Sequence, residues 1–147
     1  MKLNISIVRD PLGQDFTLTL PKATKHKVEI KSVAHGSSKA LLSKLQGQTA
    51  VSMPDNYTLC VMERPIGALY PDKSEFANLA RFVMNIGHLI KEKVESGSII
   101  EQTISNSIAR EIGLEFENVN YKFGIKKNIW ATNLAIKQFA EKLISVF

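Results

Sequence analysis

The sequence predicts an α/β fold, one mixed sheet flanked by helices, and three observations carry that expectation. Asp15–Leu20 and Lys27–Val33 alternate apolar and polar residues with period two, the pattern of half-buried strands. Tyr57–Glu63 (YTLCVME) is a near-continuous apolar run, as expected of a central strand buried on both faces. Between and after these segments, apolar residues recur at helical spacing behind recognisable caps.

Taken in order, Met1–Gly13 reads as a strand (KLNISIV) and a turn, and a polar, Pro-containing turn separates the next two strands. Lys39–Leu42 is a short apolar run. Ser43-Lys-Leu-Gln46 fits a capping box, which predicts a helix over about Lys44–Met53, stopped by Pro54. Pro65–Pro71 reads as a loop. Asp72-Lys-Ser-Glu75 is a second capping box. Phe76, Leu79, Ala80, Val83, Ile86, Leu89 and Ile90 then predict one helix from about Ser74 to Glu95, ending at Gly97. A weaker helical segment covers Ile99–Ile112. Asn118–Lys127 alternates as a strand with Val119, Tyr121, Phe123 and Ile125 on one face. Asn133 is expected to cap a last helix reaching about Ser145.

The chain of 147 residues, 44% hydrophobic, has the size of a single domain (1–147) with room for a core. Its +5 formal charge, from 19 Lys+Arg against 14 Asp+Glu, suits a nucleic-acid partner. The single Cys60 excludes an internal disulfide and a thiolate zinc site, and reads as a small buried hydrophobe. His26, His35 and His88 lack metal-ligand spacing. No phosphate-binding glycine loop and no nucleophile elbow appear, which argues against ATP hydrolysis and serine hydrolysis. No apolar run approaches membrane length and no leader is visible, so the cytoplasm is the expected compartment.

Chemistry concentrates between Gly13 and Ser32 (GQDFTLTLPKATKHKVEIKS). Glu29 and Lys31, two apart on a strand, project from one face. A hairpin would bring Asp15 beside them. Two carboxylates and an ammonium on one face suit Mg²⁺ and a phosphodiester. The plainer reading is a solvated hairpin face with a cross-strand salt bridge. Lys122, Lys126 and Lys127, with Trp130 nearby, could grip a phosphate backbone. Alternatively they form a solvated basic strand, with Trp130 in the core. His35-Gly-Ser-Ser38 reads as a plain polar loop that could also line a groove.

These residues resemble the PD-(D/E)xK, or restriction-endonuclease-like, superfamily, whose pattern is Gly-x-Asp-apolar, a turn, then apolar-Glu-apolar-Lys-Ser. The resemblance implies that Asp15 and Glu29 bind Mg²⁺ or Mn²⁺, helped by the Ile30 carbonyl, and that Lys31 orients or activates the attacking water. Gln46 matches a helix glutamine that many members aim at the metal site; it also reads simply as a capping residue. The segments VEIKS, LLSKLQGQTAVSMPDNYTLCV, ARFVMNIGHLI and YKFGIKKNIW look like a nuclease-like domain fused to GHKL-type ATPases in prokaryotic DNA-transaction and defence proteins. The implied activity is metal-dependent hydrolysis of nucleic acid, DNA above RNA, in a module of a larger protein with an ATPase as partner. One departure is the lack of a helix before Asp15. It favours the alternative of a catalytically silent domain of the same fold that binds DNA or docks a partner. Asp15, Glu29 and Lys31 are all expected at an exposed site rim.

Overall fold

A computed structural model describes residues 5–9, 16–67, 72–108 and 120–146. Its strands are β1 (Ser6–Arg9), β2 (Phe16–Thr19), β3 (Lys25–Val33), β4 (Lys39–Ser43), β5 (Tyr57–Glu63), β6 (Ala80–Met84) and β7 (Lys122–Lys126). Its helices are α1 (Lys44–Ser52), α2 (Lys73–Leu79), α3 (Ile86–Ile108), α4 (Lys127–Trp130) and α5 (Ile136–Ser145). Five strands form a mixed sheet in the order β1-β2-β3-β5-β6, and β4 with β7 forms a separate antiparallel ribbon. The fold is α/β.

The sheet sorts its residues by period. Tyr57, Leu59 and Val61 of β5 point to one face, where they meet Ala50 of α1, Ile86, Ile90 and Val94 of α3, and Phe123 and Ile125 of β7. Cys60 points to the other, with Leu18, Val28, Phe82 and the α5 residues Phe139 and Leu143. Both faces of β5 are therefore covered, which is why its sequence is apolar throughout. β3 and β5 run parallel, and parallel neighbours need a crossover. Here β4 and α1 supply it, so α1 lies over the face that carries Glu29.

Both capping boxes form. Ser43 Oγ accepts from Gln46 N at 3.2 Å and Gln46 Oε1 accepts from Ser43 N at 2.8 Å. Asp72 and Glu75 make the same reciprocal pair. The long helix expected over Ser74–Glu95 is corrected: it is α2, then β6, then α3. Asn85, at φ 57°, makes the break, and β6 pairs antiparallel with β5. Apolar residues at Ala80 and Val83 satisfy helical spacing, yet Phe82 and Val83 favour a strand once β5 offers an edge. The second half of α3 takes in the weaker helical segment from Ile99 as far as Ile108, and residues 109–112 lie outside the described residues. Gly97 does not stop it. A Cβ at Gly97 would stand 2.8 Å from the Tyr121 hydroxyl, so the residue permits close packing rather than termination. Asn133 is not the cap of α5. Its Oδ1 accepts from Leu134 N at 2.9 Å in the preceding turn, and Ala135 is the N-cap. Residues 109–119, which hold the start of the expected Asn118–Lys127 strand, lie outside the described residues.

Candidate active site

β3 places Lys27, Glu29, Lys31 and Val33 along one side of the sheet, the side over which α1 packs. Glu29 is 2% exposed, so the expectation of an exposed rim position is corrected. A buried carboxylate requires compensation. Lys31 Nζ lies 2.7 Å from Glu29 Oε1, and Gln46 Nε2 donates to the same oxygen at 2.5 Å. Gln46 stands in the first turn of α1, where the positive end of the helix dipole also favours an anion.

The two readings of Gln46 coexist. Its Oε1 closes the capping box on Ser43 N while its Nε2 holds Glu29. One amide therefore fixes both the start of α1 and the orientation of the carboxylate. Lys31 is partly exposed and gives the cluster its opening to solvent. Asp15 lies outside the described residues. The hairpin register nonetheless ends close to Glu29: Phe16 stands opposite Val28.

Mg²⁺ or Mn²⁺ takes hard oxygen donors, and Glu29 with the Ile30 carbonyl is of that kind. Among the described residues no group of three His, Cys, Asp or Glu side chains converges as a metal site. Asp15, the second acidic ligand that the resemblance implies, is not among the described residues.

A second polar cluster went unread in the sequence. Glu63 ends β5 and accepts from Gly36 N at 2.8 Å. Lys127 Nζ is 2.6 Å from its Oε2, and His35 Nδ1 is 3.4 Å from its Oε1. The Lys127 hydrogen bond first, then the Gly36 amide, hold the Glu63 carboxyl below the usual range. Arg64, Arg81 and Trp130 line the cavity beside it, about 610 Å³ in volume. Glu63 is the last residue of an apolar run, which reads as a strand end, so only the fold reveals its partners. Lys127 is committed to Glu63 and lies 5.7 Å from the centre of the buried Trp130 ring. Lys122 and Lys126 sit on the exposed face of β7.

His26 is buried and shares a 2.7 Å hydrogen bond with Thr58 Oγ1. Burial lowers its pKa to about 4, with Asn56 opposing that shift. His88 is exposed beside Asp55 at 2.8 Å. Among the described residues no helix is long and apolar enough to cross a membrane. Comparison with known protein families, curated proteins and solved structures gives no match to this chain.

Proposed function

We propose that the Glu29–Lys31–Gln46 cluster is the centre of a divalent-metal-dependent phosphodiesterase acting on nucleic acid, DNA above RNA. The observation that carries this reading is a buried carboxylate, 2% exposed, gripped on one oxygen by a lysine two residues along its own strand and by a helix glutamine. Taking a carboxylate and an ammonium out of water is costly, and buried charged pairs of this kind cluster at functional sites. The +5 charge supports a polyanionic substrate.

In this reading Glu29 and Asp15, with the Ile30 carbonyl, hold Mg²⁺ or Mn²⁺. Such an ion, when bound, lowers the pKa of a coordinated water and offsets charge developing on phosphorus. Lys31 positions the attacking water from the open side of the cluster and moves its proton. Gln46 keeps the Glu29 carboxylate in a single orientation, so that no reorganisation is needed when substrate arrives. The domain works in the cytoplasm, as a module beside a GHKL-type ATPase in a larger protein.

The second reading is a catalytically silent domain of the same fold that binds DNA or docks a partner. It is favoured by one observation: Glu29 Oε1 is already engaged by both Lys31 and Gln46. A cleavage assay on plasmid and single-stranded DNA with Mn²⁺ separates the two. The enzyme reading expects cleavage that is lost in Glu29→Ala and Asp15→Ala and slowed ~10²-fold or more in Lys31→Ala. Binding without cleavage under any divalent metal leaves the silent domain.

A further inference from the structure

The β4–β7 ribbon turns two faces outward and inward by strand alternation. Ala40, Leu42, Phe123 and Ile125 are buried against the core. Lys39, Leu41 and Ser43 of β4 and Lys122, Gly124 and Lys126 of β7 form the other face. That face contains no acidic residue.

Its charges are arranged against stability. Lys39 stands directly opposite Lys126 in the antiparallel register. Like charges directly opposite destabilise a strand pair. Lys39 also crosses Gly124: its Cδ is 3.2 Å from where a Cβ would stand. Lys122 and Lys126 are four residues apart, about 14 Å along an extended strand. The three cations thus form a line, with Lys39 between the other two. Among the described residues none of the three belongs to an ion pair, whereas Lys31, Lys44, Lys91 and Lys127 all do.

The line has a direction. Lys122 stands opposite Ser43, the N-cap of α1, and three residues on from Ser43 is Gln46, which holds Glu29. At the other end, Lys39 and Lys126 adjoin Lys127, Gly36 and Asn128 around a cleft of about 570 Å³.

We propose that this outer face of the β4–β7 ribbon is the docking track for a nucleic-acid backbone, with Lys126, Lys39 and Lys122 on successive phosphates, delivering the strand to the Glu29 cluster. The inference rests on the nucleic-acid reading above, but it does not require that the cluster cleave. A line of separated ammonium groups suits an extended polyphosphate better than a single anion. Lysine acts as a point charge on phosphate and needs no fixed planar geometry, which suits a row of backbone phosphates. Leu41 is the lone exposed apolar side chain of the face, too little to seat a membrane.

The test is fluorescence anisotropy of a labelled oligonucleotide, single-stranded and duplex, titrated from 50 to 200 mM salt without divalent metal. Wild type is expected to bind with a steep salt slope. Each of Lys39→Gln, Lys122→Gln and Lys126→Gln should lower that slope by ~0.7–0.9, and the triple variant should bind at least about tenfold more weakly at 50 mM. The triple variant should melt no lower than wild type, because repulsion has been removed. Lys137→Gln, on α5 across the sheet, should bind as wild type. Equal loss in Lys137→Gln and the ribbon variants would overturn the track, as would no binding at 50 mM salt. Poly-glutamate of equal charge competing as well as unlabelled oligonucleotide would also overturn it, in favour of an acidic protein partner. Wild type that binds through the ribbon but cleaves nothing under any divalent metal places the fault in the catalytic reading alone. Ribbon variants that cleave less at low DNA concentration and normally at saturation support the track.

Discussion

Gln46 donates through Nε2 to the buried Glu29 carboxylate while its Oε1 accepts from Ser43 N, so one side chain ties the sheet to the start of α1. Gln46→Ala removes both bonds. We expect a loss of about 1–3 kcal/mol, the cost of a lost cap plus a buried acceptor deprived of a donor. Gln46→Glu should be worse than Gln46→Ala for the Glu29 cluster, because it sets a second carboxylate against the first, yet it retains an acceptor for Ser43 N. Denaturant melts of the two variants check this order.

Lys31→Ala leaves Glu29 buried beside Gln46 without its counter-charge. The variant should lose about 1–3 kcal/mol near neutral pH, and Glu29→Gln in the same background should recover part of it. A double-mutant cycle in urea measures the coupling. Equal stability of Lys31→Ala and wild type would mean that the 2.7 Å pair contributes nothing to the fold.

His26 gives the molecule an acid limit. Its folded pKa of about 4 lies below its ordinary value of 6.5, because burial disfavours the cation. The unfolded chain therefore binds the proton more tightly. Stability from this residue is full above pH 6.5 and falls as pH drops toward 4, by about 3 kcal/mol at most. Glu63 acts in the same sense at lower pH, since its carboxyl is held below the usual range. Thermal melts of wild type and His26→Gln across pH 7 to 4 should differ in slope, with the variant flatter. Parallel curves would contradict the assignment.

Two backbone positions make opposite predictions. A Cβ at Gly87 would overlap the Ala50 carbonyl where α3 crosses α1. Backbone cannot swing aside as a side chain can, so Gly87→Ala should destabilise by about 1–3 kcal/mol. Ala23, in the β2–β3 turn, has φ 59°, a left-handed conformation that costs a residue with a Cβ. Ala23→Gly should therefore raise stability by about 0.5–1 kcal/mol. Chemical denaturation resolves both signs.

The legibility of this chain follows from how local each signal is. Tyr57–Glu63 was readable because a strand covered on both faces must be apolar at every position. Both capping boxes were readable because their partners are three residues apart. β6 was not, because Ala80, Val83 and Ile86 fit a helix as well as a strand until β5 presents its edge. The juxtaposition of Glu29 and Lys31 follows from strand period alone, and the structure brings the two within ion-pair distance. The burial of Glu29 does not follow, since it depends on α1 folding back over β3. Lys39 was hidden as the head of an apolar run, and its place opposite Lys126 is set by a pairing more than eighty residues long in sequence. The helix spacing that ended at Gly97 misled for a related reason: the glycine serves the distant Tyr121 ring.

The central claim is that Glu29 is a ligand of a divalent metal and not only the anion of a salt bridge. Mn²⁺ titration followed by electron paramagnetic resonance reads this without any substrate. The account predicts one Mn²⁺ per chain in wild type, retained in Lys31→Met and lost in both Glu29→Gln and Asp15→Asn, with all four proteins folded by circular dichroism. Mn²⁺ binding unchanged in folded Glu29→Gln, or no binding by wild type at millimolar Mn²⁺, would contradict it.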